Sequence, residues 1–429
     1  METQKLTHTH IVREYEHLTT MILSIRAFTP YSAREHARRL VYCELLTAGT
    51  RMHTREQFQN ALGVLGADIS VSLDAGYIDV IMQTTDSTVP KVLALIEAML
   101  IEPTFPQHEL KRIKTLLTNT LTDSKEDARS HAYRLFAQAS FTPDDRRAVF
   151  DIDALITEIS RVTVSDIRTL HAILLSCPWH YTAGGKSATL ARIQKKLTHI
   201  HPRKISGDTL WYTPRDIQSH TETNITLRHV PSKQNIEFSI GGTIPITRTH
   251  HDYPALLFGI SVLGLYGGFT GRLMSTVREK EGLTYGIYAR IESLTSQETG
   301  VWRIMTFFSP RDTIRGITST LREIRAIHTE GITEAELNRF KQILVTRYTL
   351  IEDSLIKKVA EAHTRYKTGI SEDAFTLFKR SLTALTCEQV HKALQTYLSP
   401  DALIICGAGP ILTVKNDLAK LFPTAEVSE

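Results

Sequence analysis

Gly264–Ala289, GLYGGFTGRLMSTVREKEGLTYGIYA, changes its hydrophobic period twice, and its reading decides the fold. The uncharged run that leads into it, Tyr253–Gly271, approaches membrane-span length, but four of its last eight residues are glycine. The apolar part ahead of those glycines is only about three helical turns. A buried helix through Ala255–Leu265 that feeds a glycine loop is therefore expected. GRLMSTVREKEG then reads as a second helix, and TYGIYARIESL and GVWRIMTFFSP as two strands.

The first half of the chain carries the same order. MILSIRAF (21–28) alternates like a strand, and a helical stretch follows from about Ser32 to Leu46. Thr54 is placed to cap the next helix, TREQFQNALGVLG, with Phe58, Ala61, Leu62 and Leu65 on one face. ADISVSLDAGYIDVIMQTT reads as a strand pair turning at Asp74, Ala75 and Gly76. The amphipathic helix VPKVLALIEAML comes next, then a long helix from near Pro106, and SHAYRLFAQASF continues the helical region after a break.

The two halves also share residues. Glu109-Leu110-Lys111-Arg112-Ile113-Lys114 recurs as Glu336-Leu337-Asn338-Arg339-Phe340-Lys341, each shortly after the amphipathic helix that follows a strand pair. Two copies indicate a duplication, since a solenoid needs more. The expected class is α+β: two homologous domains, each an antiparallel sheet packed with helices. The linker is expected in 198–216, where Pro202, Gly207 and Pro214 interrupt periodicity, giving domains 1–204 and 205–429.

Composition narrows the function classes. With 50 Lys plus Arg against 46 Asp plus Glu, spread along all 429 residues, there is no concentrated footprint for nucleic acid. Cys43, Cys177, Cys387 and Cys406 form no C-x-x-C pair and read as reduced small hydrophobes. METQKLTHTHIVREYEH has no apolar stretch after a basic start, and its Glu residues argue against a transit peptide, so a cytoplasmic location without a membrane span is expected. His8 with His10, and His199 with His201, could each point to one side of a strand, but no acidic third ligand accompanies either pair; His250-His251 is a weaker candidate still.

The 264–289 stretch resembles the signature of the pitrilysin/insulinase metallopeptidase family, which includes the mitochondrial processing peptidases. The resemblance lies in the glycine loop (Gly267, Gly268), the Arg272-Leu273 step, and an Arg-Glu-Lys run leading to Gly-Leu-x-Tyr. Gly49-Thr50, the helix after it and the hairpin extend the resemblance to the first half. It implies an H-x-x-E-H zinc motif ahead of Gly49-Thr50, in which two His hold the metal and the Glu activates water. Those positions hold Leu40, Cys43 and Glu44, and the third ligand position falls on Thr118, Asn119 and Thr120. H-x-x-E-H occurs nowhere, because no two of the 18 His are three or four residues apart. No metal site is expected in this chain.

What the resemblance does imply is a role for Arg278 and Tyr285, seven residues apart across a Gly-Leu turn. The Tyr would donate to the scissile carbonyl as it becomes an oxyanion, and the Arg would anchor the peptide. Gly267 and Gly268 would form a flexible loop beside the substrate. The plain structural alternative is that Arg278 pairs with Glu279 or Glu281, that Tyr285 is an ordinary strand tyrosine, and that the glycines cap a helix. Substrates in the family add a strand to a sheet edge. The expected protein is the non-zinc subunit of a heterodimeric peptidase, inactive alone, with zinc supplied by an H-x-x-E-H paralogue. The alternative is a peptidase-like scaffold or binding subunit without catalysis.

Overall fold

The computed structural model describes residues 6–26, 31–201, 217–423 and 426–428. The chain forms two compact units, each assembled from three segments. The first comprises Met1–Thr122, Phe150–Thr213 and Thr349–Thr364, and the second Asp123–Val149, Pro214–Tyr348 and Arg365–Glu429. Most of the expected linker, 202–216, lies outside the described residues, and with it the cut at 204/205.

The first unit is built on five strands: β1 (Leu6–Val12), β2 (Leu18–Arg26), β3 (Asp68–Asp74), β4 (Tyr77–Thr85) and β5 (Trp179–Gly185). Their order is β1-β5-β2-β4-β3, with β1 parallel to β5 and every other pair antiparallel. The β3–β4 hairpin turns where expected, with Ala75 and Gly76 both at positive φ, as a tight two-residue turn between right-twisted strands requires. Met21, Leu23 and Ile25 alternate along β2 onto one face and pack with Val41, Leu45 and Ile96. Thr20, Ser24 and Thr182 are buried on the other side, so this sheet is covered on both faces. Ser32 caps the helix Ala33–Leu46, and Thr54 and Gln57 form a reciprocal capping box at the start of the helix Arg55–Leu65.

The second unit repeats the connectivity. Its strands are β6 (Asn224–His229), β7 (Ile236–Ile244), β8 (Ile287–Glu292), β9 (Gly300–Phe308), β10 (Ile404–Gly409) and the short β11 (Glu426–Ser428), in the order β11-β6-β10-β7-β9-β8. Here β6 runs parallel to β10 and to β11, and the rest is antiparallel. Leaving out β11, the order and directions match those of the first sheet strand for strand, which is the duplication seen in the sequence. Both sheets are therefore mixed, where purely antiparallel ones were expected. The parallel pairs join residues some 170 to 200 positions apart, beyond the reach of any local pattern.

Each unit also takes a helix from the other half of the chain. Ala128–Ser140 packs on the second sheet, where Phe136 and Ala137 meet Val301, Ile404 and Cys406. Leu355–Thr368 covers the first sheet, with Leu355, Val359 and Ala362 against Ile11 and Ile22. Beneath that helix lies a buried polar chain. His363 Nε2 meets Ser24 Oγ at 2.6 Å, its Nδ1 meets Thr182 Oγ1 at 3.0 Å, and Ser24 in turn donates to Asp79. Gly184 admits the helix, since a Cβ there would lie 2.5 Å from Leu355 Cδ1.

Candidate functional site

In the first unit, the positions aligned with the zinc motif do not form a ligand set. Leu40 is half-buried, Glu44 is exposed, and Cys43 is buried in the apolar core, where desolvation pushes its thiol far above the ordinary range. Thr118 is half-buried and Asn119 exposed, while Thr120 returns its hydroxyl to Leu116 O of its own helix at 3.0 Å. No nitrogen ligand and no base stand where the zinc chemistry would need them. A cavity of about 460 Å3 opens at Gly49-Thr50, but its buried acid, Glu109, is engaged by Arg55 at 3.2 Å and Arg112 at 2.7 Å.

Among the described residues, neither H-x-H pair gathers a third donor. His8 and His10 approach to 4.4 Å between ring centroids, and His10 Nε2 is occupied by the Tyr181 hydroxyl at 3.0 Å. His201 packs edge-on against Trp179. His250-His251, ranked last from the sequence, is the pair that has an acid beside it: among the described residues it forms, with Asp252, one group with donor atoms within 4.8 Å. Yet the Asp252 amide donates to His250 Nδ1 at 3.2 Å, which leaves the proton of the neutral ring on Nε2. Asp252 also accepts the Tyr397 hydroxyl at 2.8 Å.

The second unit is different. The helix Tyr253–Gly264 is apolar all round and buried, and it delivers the chain into the glycine loop. Leu265 N donates to Thr270 O at 3.3 Å and closes the base of that loop. Gly267 sits at φ 75°, and at Gly271, with φ 120°, a Cβ would lie 2.8 Å from Gly264 Cα. Gly268 needs no such conformation. The tight base turns Tyr266 and Phe269 outward, at 44% and 64% exposure.

Beyond the loop, Arg272 grips Glu336 with two hydrogen bonds, 2.7 and 2.8 Å, and also reaches Gly331 O at 2.8 Å. Burial alone would raise the Glu336 carboxyl, but the bonds from Arg272 and Thr333 outweigh it and hold it below its ordinary range. From that anchor the expected helix forms with π winding over Met274–Lys280, a geometry that recurs at functional sites. It ends at Gly282, in the left-handed region at φ 64°.

Arg278 leaves this segment so that its guanidinium lies 5.1 Å from the Phe269 ring centroid and 5.2 Å from that of Tyr285. Its nearest carboxylate, Glu279, is 3.9 Å away, and Glu281 pairs with Arg322 instead. Tyr285 precedes β8, and its side chain stands out at 73% exposure. The Gly286 amide donates to Thr284 Oγ1 at 3.2 Å, fixing the bend that presents it. The expected pair Arg278 and Tyr285 is thus brought together beside the loop of Gly267 and Gly268. Sequence reasoning missed Phe269, Tyr266 and Arg347. Arg347 donates Nη1 to Tyr266 O at 3.0 Å from a helix eighty residues downstream, and nothing local signals that contact.

Known proteins resemble this chain in parts of its sequence and in its fold. Residues 186–344 match the family model described as the peptidase M16 inactive domain. The chloroplastic stromal processing peptidase of Pisum sativum is 29% identical over 93 residues, 22% of this chain and 7% of that protein. Its counterpart in Oryza sativa subsp. indica is 28% identical over 103 residues, 24% of this chain and 8% of that protein. The matched stretch is therefore a small part of either relative's length. The crystal structure of a peptidase M16 inactive domain from Pseudomonas fluorescens superposes with a TM-score of 0.77 at 19% identity, covering 94% of this chain and 95% of that one. A protease from Helicobacter pylori gives 0.80 at 14% identity, covering 95% and 97%. Among the described residues, no helix is long and apolar enough to cross a membrane.

Proposed function

We propose that the chain is a member of the peptidase M16 (pitrilysin/insulinase) family, whose inactive-domain model matches residues 186–344, and that it is the non-zinc subunit of a heterodimeric metalloendopeptidase. It acts on peptides or unfolded segments in the cytoplasm, and an H-x-x-E-H paralogue supplies the zinc, the water and the base. Arg278 holds the peptide, and the Tyr285 hydroxyl donates to the scissile carbonyl as negative charge develops there. Gly267 and Gly268 let the chain of the substrate approach the loop closely.

The observation that carries this reading is the contrast between the two sites. The metal positions have become Leu40, Cys43 and Glu44, whereas Arg278 lies 5.1 Å from the Phe269 ring centroid and 5.2 Å from that of an exposed Tyr285. A tyrosine kept for packing would be expected to bury its ring. A noncatalytic binding subunit is the second reading, favoured by the family model's own description as inactive. Affinity purification of the native chain in mild salt, with mass spectrometry of what co-elutes in comparable amount, separates the two. Recovery of an H-x-x-E-H paralogue supports the composite peptidase; recovery of unrelated subunits alone supports the scaffold.

A further inference from the structure

We propose that the arginine and aromatic surface at the glycine loop selects peptides carrying a carboxylate next to the segment held at Tyr285. The proposal rests on the peptide-binding reading above and adds a substrate class to it: acidic segments, or chains whose free C-terminus falls there.

The arginines of this unit show why. Arg303 reaches Glu292 at 2.7 Å, and Arg290 bonds the same carboxylate; Arg129 pairs with Glu237 at 3.2 Å and Arg272 with Glu336 at 2.7 Å. Two arginines at the loop have no carboxylate within hydrogen-bond distance among the described residues. Arg278 has ring contacts with Phe269 and Tyr285 but no hydrogen bond to another described residue, and its neighbour Glu279 at 3.9 Å is beyond hydrogen-bond reach. Arg347 spends one donor on Tyr266 O, and its Nη2 lies 3.9 Å from where a Cβ at Gly267 would stand.

Stacking against aromatic rings holds a guanidinium in place while leaving its in-plane N–H groups available, the geometry that accepts a carboxylate through two parallel bonds. The Arg278 side chain is 24% exposed, so its charge is partly desolvated before a ligand arrives. Arg347, on the exposed face of its helix, adds a second cation against the same loop. A glutamate or a terminal carboxylate on the peptide is drawn to this cationic surface, and a lysine or arginine there meets repulsion.

The test uses the full-length chain and fluorescein-labelled dodecapeptides that share one scaffold, with a central Glu, Gln or Lys and an amidated C-terminus, plus the Gln peptide with a free C-terminus. Anisotropy titrations at low salt should place the Glu peptide about tenfold tighter than the Gln peptide, with Lys weakest. The gap should narrow at about 0.15 M salt. Arg347→Gln should reduce the Glu-over-Gln preference to about threefold. Tightening by the free C-terminus alone, with no Glu preference, would support the selection and assign the carboxylate to the chain end. Equal affinity for all four peptides, or a preference for Lys, overturns the selection while leaving the peptide-binding reading intact. Absence of binding to any of them overturns both.

Discussion

The helix Arg55–Leu65 and the π-wound segment Met274–Lys280 hold the same place in two sheets of matching connectivity, and they are anchored alike. Each begins beside an arginine paired with the repeated glutamate, Arg55 with Glu109 and Arg272 with Glu336. Each ends at a left-handed glycine, Gly66 at φ 57° and Gly282 at φ 64°. Between the anchors they diverge. The first is regular, and it buries Phe58 and Leu62 below a reciprocal capping box. Counted from the anchoring arginine, Arg278 corresponds to Ala61; counted from the glycine, Tyr285 corresponds to Ile69, which is only 6% exposed. The fold needs the ion pair, the glycine and one apolar face, and the remaining positions are free to carry chemistry or to lose it.

The sharpest way to break this comparison is at the residues the first unit lacks. In the proposed pair with a zinc-bearing paralogue, Tyr285→Phe should lower kcat about a hundredfold, the size expected for loss of one oxyanion donor. Arg278→Ala should reduce kcat/KM to a similar degree. Thermal melting should barely change for Tyr285→Phe, because that side chain is largely exposed. Turnover at the wild-type rate in both variants would remove the functional meaning of the divergence.

Next in size is the seat of the exchanged helix. Gly184→Ala puts a methyl 2.5 Å from Leu355 Cδ1, and it should cost about 2 kcal/mol in urea unfolding, as overpacking does. The two anchors can then be compared with each other. Arg272 and Glu336 expose 16% and 24% of their side chains and share two hydrogen bonds, so Arg272→Met should cost about 2 kcal/mol. Arg55 is 45% exposed, and Arg55→Met should cost about 0.5 kcal/mol. In both pairs burial opposes ionisation of the glutamate and the arginine bonds overcome it, leaving the carboxyl below its ordinary value. That stability is present above the unfolded carboxylate pKa and is lost as pH falls through the folded value.

The last effect concerns a histidine and is read as a pH dependence. Burial pushes His180 down to about 4, with His8 adding to it, so the folded sheet holds it neutral while the unfolded chain takes up a proton near 6.5. Its contribution is complete above about pH 6.5 and declines towards pH 4, a loss of about 2 kcal/mol by pH 5. Hydrogen exchange corrected for intrinsic rate should therefore show β5 and β2 losing more protection between pH 7 and 5 than β10 and β7. Equal losses would contradict the sign.

Much of this was legible because it was local. Ser32 and Thr54 as caps, the Asp74-Ala75-Gly76 turn and the Phe58 face are each set by residues within a few positions of one another. The repeated Glu109 and Glu336 were visible as a pattern, but their purpose, gripping Arg55 and Arg272, emerged only in three dimensions. What escaped was nonlocal. β1 pairs with β5 across the length of the first unit, and Trp179–Gly185, buried at every position, shows none of the alternation that marks a half-exposed strand. The helix exchange left no periodic signal, since Ala128–Ser140 reads as an ordinary amphipathic helix whichever sheet it covers. π winding was invisible for the same reason: MSTVREK carries no residue that forbids a regular helix. At the candidate site, the signature named Arg278 and Tyr285, but the rings that hold Arg278 and the second cation, Arg347, belong to tertiary contacts.

The most direct test of the composite site is reconstitution. The purified chain and the proposed H-x-x-E-H paralogue should be assayed for cleavage of a quenched fluorescent peptide, separately and mixed at equal concentration. Cleavage that appears only in the mixture, and is abolished by a zinc chelator, is the expected result. Cleavage by the paralogue alone at the rate of the mixture would contradict a contribution from Arg278 and Tyr285.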